Sequence, residues 1–165
     1  MTIILGIDPG LQRTGYGVIR QDGNNISLLG CGVIKSEAGD ELAYRLKLLS
    51  DGIKDVVAKY QPDETGIEET FVNVNGQSTL KLGQARGAIL LTLAQAGLPV
   101  AEYAARLVKI TIVGSGRAQK DPIAHMVQML LPGCGQHGPD AMDALAIAIC
   151  HANHRRSSQW LVVGG

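Results

Sequence analysis

Four acidic residues occupy positions from which they could act together. Asp8 ends one apolar, strand-like run, and Glu68 ends another. Asp140 and Asp143 are three residues apart in a nearly all-apolar stretch, so a helix places both carboxylates on one face. Each acid alone has an ordinary reading as a turn residue, an exposed strand end or a charge near a helix N-terminus. Taken together they predict one acidic cluster.

Such a cluster needs cations, because like charges about 5 Å apart repel each other by about 3 kcal/mol per pair at an effective dielectric constant near 20. Carboxylate oxygens are hard ligands that suit Mg²⁺, with Mn²⁺ as a substitute. Two such ions about 3.5–4 Å apart can hold a phosphodiester for attack by water. The four acids therefore predict metal-dependent phosphodiester hydrolysis with two ions at each site.

The elements that must position these acids follow a mixed order. Residues 3–7, 14–20 and 26–34 read as an antiparallel meander, with a hairpin signal at Asp22-Gly23-Asn24-Asn25. Helical spacing follows from Leu42 to just before Pro62, then around 82–96, 122–131 and 139–154, with strands at 64–69 and 98–103. This order predicts an α/β fold whose mixed sheet has three antiparallel and two parallel strands, flanked by helices.

Composition limits the class of protein. The chain has 165 residues, which is the size of one domain, and we expect one domain over 1–165 with a frayed tail at about 155–165. No apolar run approaches the roughly 18 residues of a membrane span, and the N-terminus lacks the basic start of a signal peptide. Three widely spaced cysteines suit a reducing compartment, so we expect a cytoplasmic protein without a membrane partner.

Positive charge is concentrated in one part of a chain that is neutral overall. Residues 71–120 contain six basic residues and a single acid, Glu102. Such a stretch could bind the phosphates of DNA, or it could be a solvated basic rim. The basic residues are Lys81, Arg86, Arg106, Lys109, Arg117 and Lys120.

Two further features could contact DNA or a second copy of the chain. Phe71 is the only phenylalanine and stands in a polar segment three residues after Glu68. It could stack on an unpaired base, or it could anchor its own loop in the core. Gly83 and Gly87 form a face of small residues on a helix, which could admit a second copy or a strand of the same sheet.

Five motifs together resemble the RuvC family of Holliday-junction resolvases. The resemblance covers residues 2–151, and its specificity lies in the order of the motifs. One departure is Glu69, where the family pattern has Gln, and another is the short tail. The motifs are Gly-Ile-Asp-Pro-Gly (6–10), Thr-Gly-Tyr-Gly (14–17), Ile-Glu-Glu-Thr-Phe (67–71), Leu-Gly-Gln-Ala-Arg-Gly (82–87) and Asp-Ala-Met-Asp-Ala-Leu-Ala (140–146).

The resemblance implies an RNase H-like fold and a bacterial homodimer that binds four-way DNA junctions. It implies paired, symmetric, Mg²⁺-dependent nicks during homologous recombination and DNA repair, alongside the RuvA and RuvB branch-migration proteins. By the same resemblance, Asp8, Glu68, Asp140 and Asp143 are the catalytic, metal-binding acids. It also implies that Lys109 and Lys120 approach the DNA, and it favours Phe71 as a wedge.

Two other functions remain open at this stage. The Asp-x-Gly and Thr-Gly pattern of the first hairpin also occurs in ATP-binding domains of the actin and sugar-kinase type, but those proteins enclose nucleotide between two such domains. A non-catalytic junction-binding protein would retain the basic stretch without the chemistry. The four intact acids favour the endonuclease.

Overall fold

The computed structural model describes residues 1–69, 75–114, 122–135, 137–155 and 160–161. Three strands come first: β1 (Thr2–Asp8), β2 (Arg13–Asp22) and β3 (Asn25–Lys35). The other elements are α1 (Leu42–Tyr60), β4 (Glu64–Glu68), α2 (Gly76–Gln95), β5 (Val100–Tyr103), α3 (Ala105–Val113), α4 (Pro122–Leu130), α5 (Gly138–His154) and β6 (Trp160–Leu161).

One mixed sheet runs through the molecule in the order β3-β2-β1-β4-β5-β6. β1, β2 and β3 are antiparallel neighbours, whereas β4 and β5 run parallel to β1. The predicted RNase H-like sheet of three antiparallel and two parallel strands is confirmed. β6 adds a short antiparallel edge beside β5, so Trp160 and Leu161, within the tail that we expected to be frayed, pair with the sheet. The tail is also held at Arg155, which forms an ion pair with Glu64 at 2.5 Å.

Each face of the sheet carries its own hydrophobic core. Leu5 and Ile7 of β1 pack with α1 and α2, while Ile4 next to Leu5 points to the opposite face and packs with α3, α4 and α5. Eleven of the seventeen residues of α5 are buried. In the described part of the chain, no helix is both long and apolar enough to cross a membrane.

The central helix α5 lies unusually close to the sheet because glycines line its path. A Cβ atom added at Gly6 of β1 would lie 2.2 Å from the carbonyl oxygen of Ala144. This contact leaves room for a hydrogen atom only, so residue 6 fixes the depth at which α5 sits. On the other face, Cβ atoms at Gly83 and Gly87 would meet no described atom within 4 Å. The alternative that these two glycines admit a strand of the sheet is therefore wrong for the strands described here.

The sequence patterns did not predict helix α3. Its last six residues read Val108-Lys109-Ile110-Thr111-Ile112-Val113, and the β-branched residues among them favour strands when they are considered alone. Burial of Val108 and Ile112 against α5 and α4 outweighs that preference. The missed element carries Lys109, one of the predicted DNA contacts.

Candidate active site

Asp8 and Glu68 lie side by side at the carboxyl ends of β1 and β4. The two strands pair in parallel up to the residues immediately before these acids, so both carboxylates leave the sheet at the same level. The turn after Asp8 is held by Thr14, whose hydroxyl donates to the carbonyl of Gly10 at 2.5 Å and accepts from its N–H at 3.2 Å. This pair of bonds fixes the end of β1 and the position of the first acid.

The first turn of α5 brings the other two acids to the same edge. Gly15 is the cross-strand neighbour of Asp8, and a Cβ atom at Gly15 would lie 2.0 Å from the carbonyl oxygen of Asp140. The helix start thus rests on the sheet beside Asp8. Asp143 follows one turn later and lines a cleft together with Glu68. The structure therefore brings together the four acids that the sequence predicted as a cluster.

The electrostatics of Asp8 show how crowded the cluster is. Burial, followed by the hydrogen-bonding and charge of Glu68 and then the charges of Asp143 and Asp140, raises the pKa of Asp8 to about 8. Without a cation, the Asp8 carboxyl therefore favours its protonated form near neutral pH. The negative charge of the four carboxylates therefore exceeds the positive charge that balances it.

Arg13 supplies part of that charge. Its Nε donates to Oδ2 of Asp140 at 2.7 Å, and both side chains are partly exposed. The sequence analysis did not single out Arg13, because nothing in the spacing shows that the start of β2 faces the start of α5. The pair holds the Asp140 carboxylate in place from outside the cluster.

The residues of this cluster fit a hard divalent cation by the chemistry of their oxygens and by their shortage of positive charge. They do not form a finished coordination shell. Within the ranges described, no three His, Cys, Asp or Glu side chains are arranged to hold a metal ion. Two features of the metal-free cluster oppose a cation: burial and the neighbouring carboxylates raise the pKa of Asp8, and Asp140 is bound to Arg13. A cation would replace the proton and compete with the guanidinium.

Two of the predicted basic residues have exposed side chains beside clefts. Lys109 of α3 is exposed and lines the cleft that contains Glu68 and Asp143, which has a volume of about 260 Å³. Lys81 of α2 is exposed and lines a second cleft on the opposite face of the sheet. Arg106 is exposed at the start of α3.

Arg86 occupies a different environment. Its guanidinium forms an ion pair with Glu102, and its Nη1 donates to the backbone carbonyl of Glu68 at 2.7 Å. The side chain is largely buried, with 11% of its surface exposed. These contacts join α2 to the ends of β4 and β5, and they hold the backbone at Glu68.

Three predicted DNA-contacting residues fall outside the described ranges. Phe71 belongs to residues 70–74, and Arg117 and Lys120 belong to residues 115–121. Their assignments stay predictions. Glu69, the departure from the family pattern, is exposed.

The sequence analysis also missed Arg45 of α1. This arginine is 7% exposed and lies on the buried face of a helix whose other buried residues are Leu49, Ile53 and Val56. The signal was available, because position 45 precedes Leu49 by four residues and therefore shares its face. A charged residue on an apolar helix face requires an explanation.

Comparisons with known proteins agree with this geometry. Residues 4–151 match the family described as crossover junction endodeoxyribonuclease RuvC. The protein of that name from Paramagnetospirillum magneticum is 56% identical over 158 residues, covering 96% of this chain and 95% of the relative. The one from Ruegeria pomeroyi is 58% identical over 149 residues, covering 90% of each chain.

Solved structures show the same architecture. Thermus thermophilus RuvC in complex with a Holliday junction substrate superposes with a TM-score of 0.89 at 30% identity, covering 98% of this chain and all of that one. The yeast mitochondrial Holliday junction resolvase Ydc2 shares the fold, with a TM-score of 0.61 at 12% identity, covering 93% of this chain and 83% of that one. The chain belongs to the RuvC family of crossover junction endodeoxyribonucleases.

Proposed function

We propose that this protein resolves four-way DNA junctions by paired, symmetric phosphodiester nicks in homologous recombination and DNA repair. The observation that supports this most is the convergence of Asp8, Glu68, Asp140 and Asp143 at one sheet edge, where crowding raises the pKa of Asp8 to about 8. Relatives that cover nearly the whole chain carry the name crossover junction endodeoxyribonuclease.

The four acids would hold divalent cations, Mg²⁺ or in its place Mn²⁺, with two ions at each site. Bound cations of this kind lower the pKa of an attacking water and neutralise charge on the phosphodiester. Asp8 and Glu68 provide ligands on the rigid ends of two strands, and Asp8 gives up its proton when a cation enters. Asp140 and Asp143 provide ligands from the first turns of a helix that the sheet holds at a fixed depth.

The surrounding residues position the DNA and the acids. Lys109, beside Glu68 and Asp143, would contact a phosphate of the strand being cut, and Lys81 would contact a phosphate further away. Lys120 and Phe71 remain proposed DNA contacts on the family resemblance, with Phe71 as a wedge at the branch point. Arg86 fits a positioning role better than a phosphate contact, because Glu102 and the Glu68 carbonyl occupy its guanidinium.

Paired nicks require two active sites, which a homodimer would provide. Helix α2 has a face that described residues leave uncovered: Leu80 and Leu91 are 63% and 59% exposed, and the flat surface at Gly83 and Gly87 lies between them. Two such faces could pack closely across a twofold axis. The family resemblance further suggests a cytoplasmic protein of bacteria that works with RuvA and RuvB.

The test uses pure protein, a labelled four-way junction, a matched linear duplex, and either Mg²⁺ or EDTA. We expect paired cuts in the junction with Mg²⁺ only. Asp8→Asn, Glu68→Gln, Asp140→Asn and Asp143→Asn should each abolish cleavage and retain junction binding. Asp22→Asn is the matched control, because Asp22 is exposed at the end of β2 remote from the four acids.

Two outcomes would change the proposal. Cleavage retained by one of the four variants would remove that residue from the catalytic set. A wild-type protein that binds junctions in Mg²⁺ but never cuts them would instead support the non-catalytic junction-binding protein.

A further inference from the structure

A second cleft lies at the same sheet edge as the four acids but on the opposite face of the sheet. It has a volume of about 480 Å³ and is bordered by the turn after β1, the segment between β3 and α1, and the first turns of α2. Leu11, three residues after Asp8, belongs to the core on this face and forms part of the wall. The cleft is therefore separated from the acids by the thickness of the sheet.

Arg45 lines this cleft, although it is 7% exposed. Its Nε donates to the hydroxyl of Ser36 at 2.9 Å, and that hydroxyl donates to the Leu11 carbonyl at 2.6 Å. These bonds fix the guanidinium plane. Among the residues that the structure describes, none accepts a hydrogen bond from Nη1 or Nη2, and no carboxylate lies within 4.0 Å.

Arg45 is nearly buried and has no counter-ion among the described residues, which is unusual for an arginine. Its Nη atoms are the part of the side chain that still contacts solvent, at the cleft. The two Nη groups of Arg45 are the donors that remain for a ligand in the cleft. Their fixed fork matches the two oxygens of a phosphate group.

The other groups around the cleft also favour an anion. Lys81 adds a second positive charge, and Gln77 and Gln84 are neutral. Asp40 is the acid in the lining, so the two basic residues exceed it by one charge. The start of α2 contributes the positive end of a helix that has no acidic residue in its first turn. The N–H groups of Gln77 and Ser78 already donate to the Asn75 side chain, so the ligand would rely on Arg45 and Lys81.

We propose that this cleft binds a backbone phosphate of the junction DNA, with Arg45 as its fixed bidentate donor and Lys81 as its exposed partner. This inference rests on the proposed function and extends it to a DNA contact outside the catalytic edge. The position favours DNA, because α2 begins shortly after Glu68 in the chain, and Leu11 follows Asp8 directly after the turn at the end of β1. A DNA strand that passes the four acids needs a second phosphate contact, away from them, to fix its direction.

The test measures junction affinity by fluorescence anisotropy in EDTA over a series of salt concentrations. Lys81→Ala and Arg45→Gln should each weaken binding about tenfold and reduce the slope of log K against log salt by about one. Lys54→Ala is the matched control, since Lys54 is an exposed lysine of α1 that does not line the cleft. It should leave both quantities within error of the wild type.

Cleavage separates this inference from the proposed function. With saturating protein and Mg²⁺, the wild type should cut the junction and the control Lys54→Ala should match its rate, because Lys54 lies outside both the cleft and the four acids. If Arg45→Gln fails to fold in a thermal melt, Lys81→Ala and the charge reversal Lys81→Glu provide the test. Unchanged affinity in these variants, or weaker binding with an unchanged salt slope, overturns the phosphate site. A wild-type protein that neither binds nor cuts junctions refutes the proposed function itself.

Discussion

Replacing Asp8 by asparagine is expected to stabilise the metal-free protein while it removes a proposed metal ligand. The pKa of Asp8 is raised from 3.8 to about 8, with burial as the largest cause and the neighbouring carboxylates next. Each pKa unit corresponds to about 1.4 kcal/mol, so the folded state opposes ionisation of this group by at most about 6 kcal/mol. Because the carboxylates titrate together, we expect asparagine to recover about 1–3 kcal/mol of this.

The sign of the pH dependence follows from the raised pKa. Between about pH 4 and pH 8 the unfolded chain releases the Asp8 proton and the folded chain retains it, so this group makes wild-type stability fall as pH rises. The asparagine side chain of the variant has no proton to release. The stabilisation should therefore be small near about pH 4 and complete above about pH 8.

Thermal melts in EDTA across this pH range measure the effect. For a chain of this size, the gain corresponds to a melting temperature higher by about 3–10 °C above about pH 8. Adding Mg²⁺ should raise the melting temperature of the wild type and have little effect on Asp8→Asn. Two results would refute the account of the crowded carboxylates. One is an Asp8→Asn protein that melts below the wild type at high pH. The other is a gain in melting temperature that is the same at every pH.

Three other changes test separate parts of the structure. Arg13→Gln should lower the Mg²⁺ concentration needed for half of the thermal stabilisation by about two- to fivefold, because it removes a competitor for one carboxylate; an unchanged midpoint contradicts this. Glu64→Gln should cost about 1–3 kcal/mol at neutral pH in denaturant unfolding, because Arg155 loses its partner. That loss should shrink as pH falls through the pKa of Glu64, which Arg155 lowers, and a pH-independent loss would contradict the pairing. Gly15→Ala should cost about 2–3 kcal/mol through its clash with the start of α5, whereas Gly39→Ala, with open space around it, should be neutral; equal costs would contradict the close approach.

The site could be predicted from the sequence largely because its acids stand at the ends of regular elements. Asp8 and Glu68 each end a strand, and parallel strands bring their carboxyl ends to one edge of a sheet. Asp140 and Asp143 share a face by helical spacing alone. Apolar periodicity is a local property, so it can be recognised in the sequence without knowledge of the tertiary structure.

Contacts between distant parts of the chain were not predictable in this way. Glu102 was counted as one acid against six basic residues, but it pairs with Arg86 and takes that residue out of the basic surface. Arg13 faces Asp140 from 127 residues away. Helix α3 was missed because packing against α4 and α5 outweighs the strand preference of its β-branched residues. In each case the deciding interaction depends on tertiary structure.

The central claim, that these four carboxylates hold the divalent cations, is tested most directly by anomalous scattering from Mn²⁺ in crystals of the protein. We predict two Mn²⁺ peaks bounded by Asp8, Glu68, Asp140 and Asp143, which disappear in crystals of Asp8→Asn. Crystals grown under conditions that support junction cleavage, with Mn²⁺ bound only elsewhere and no peak among the four acids, would contradict the claim.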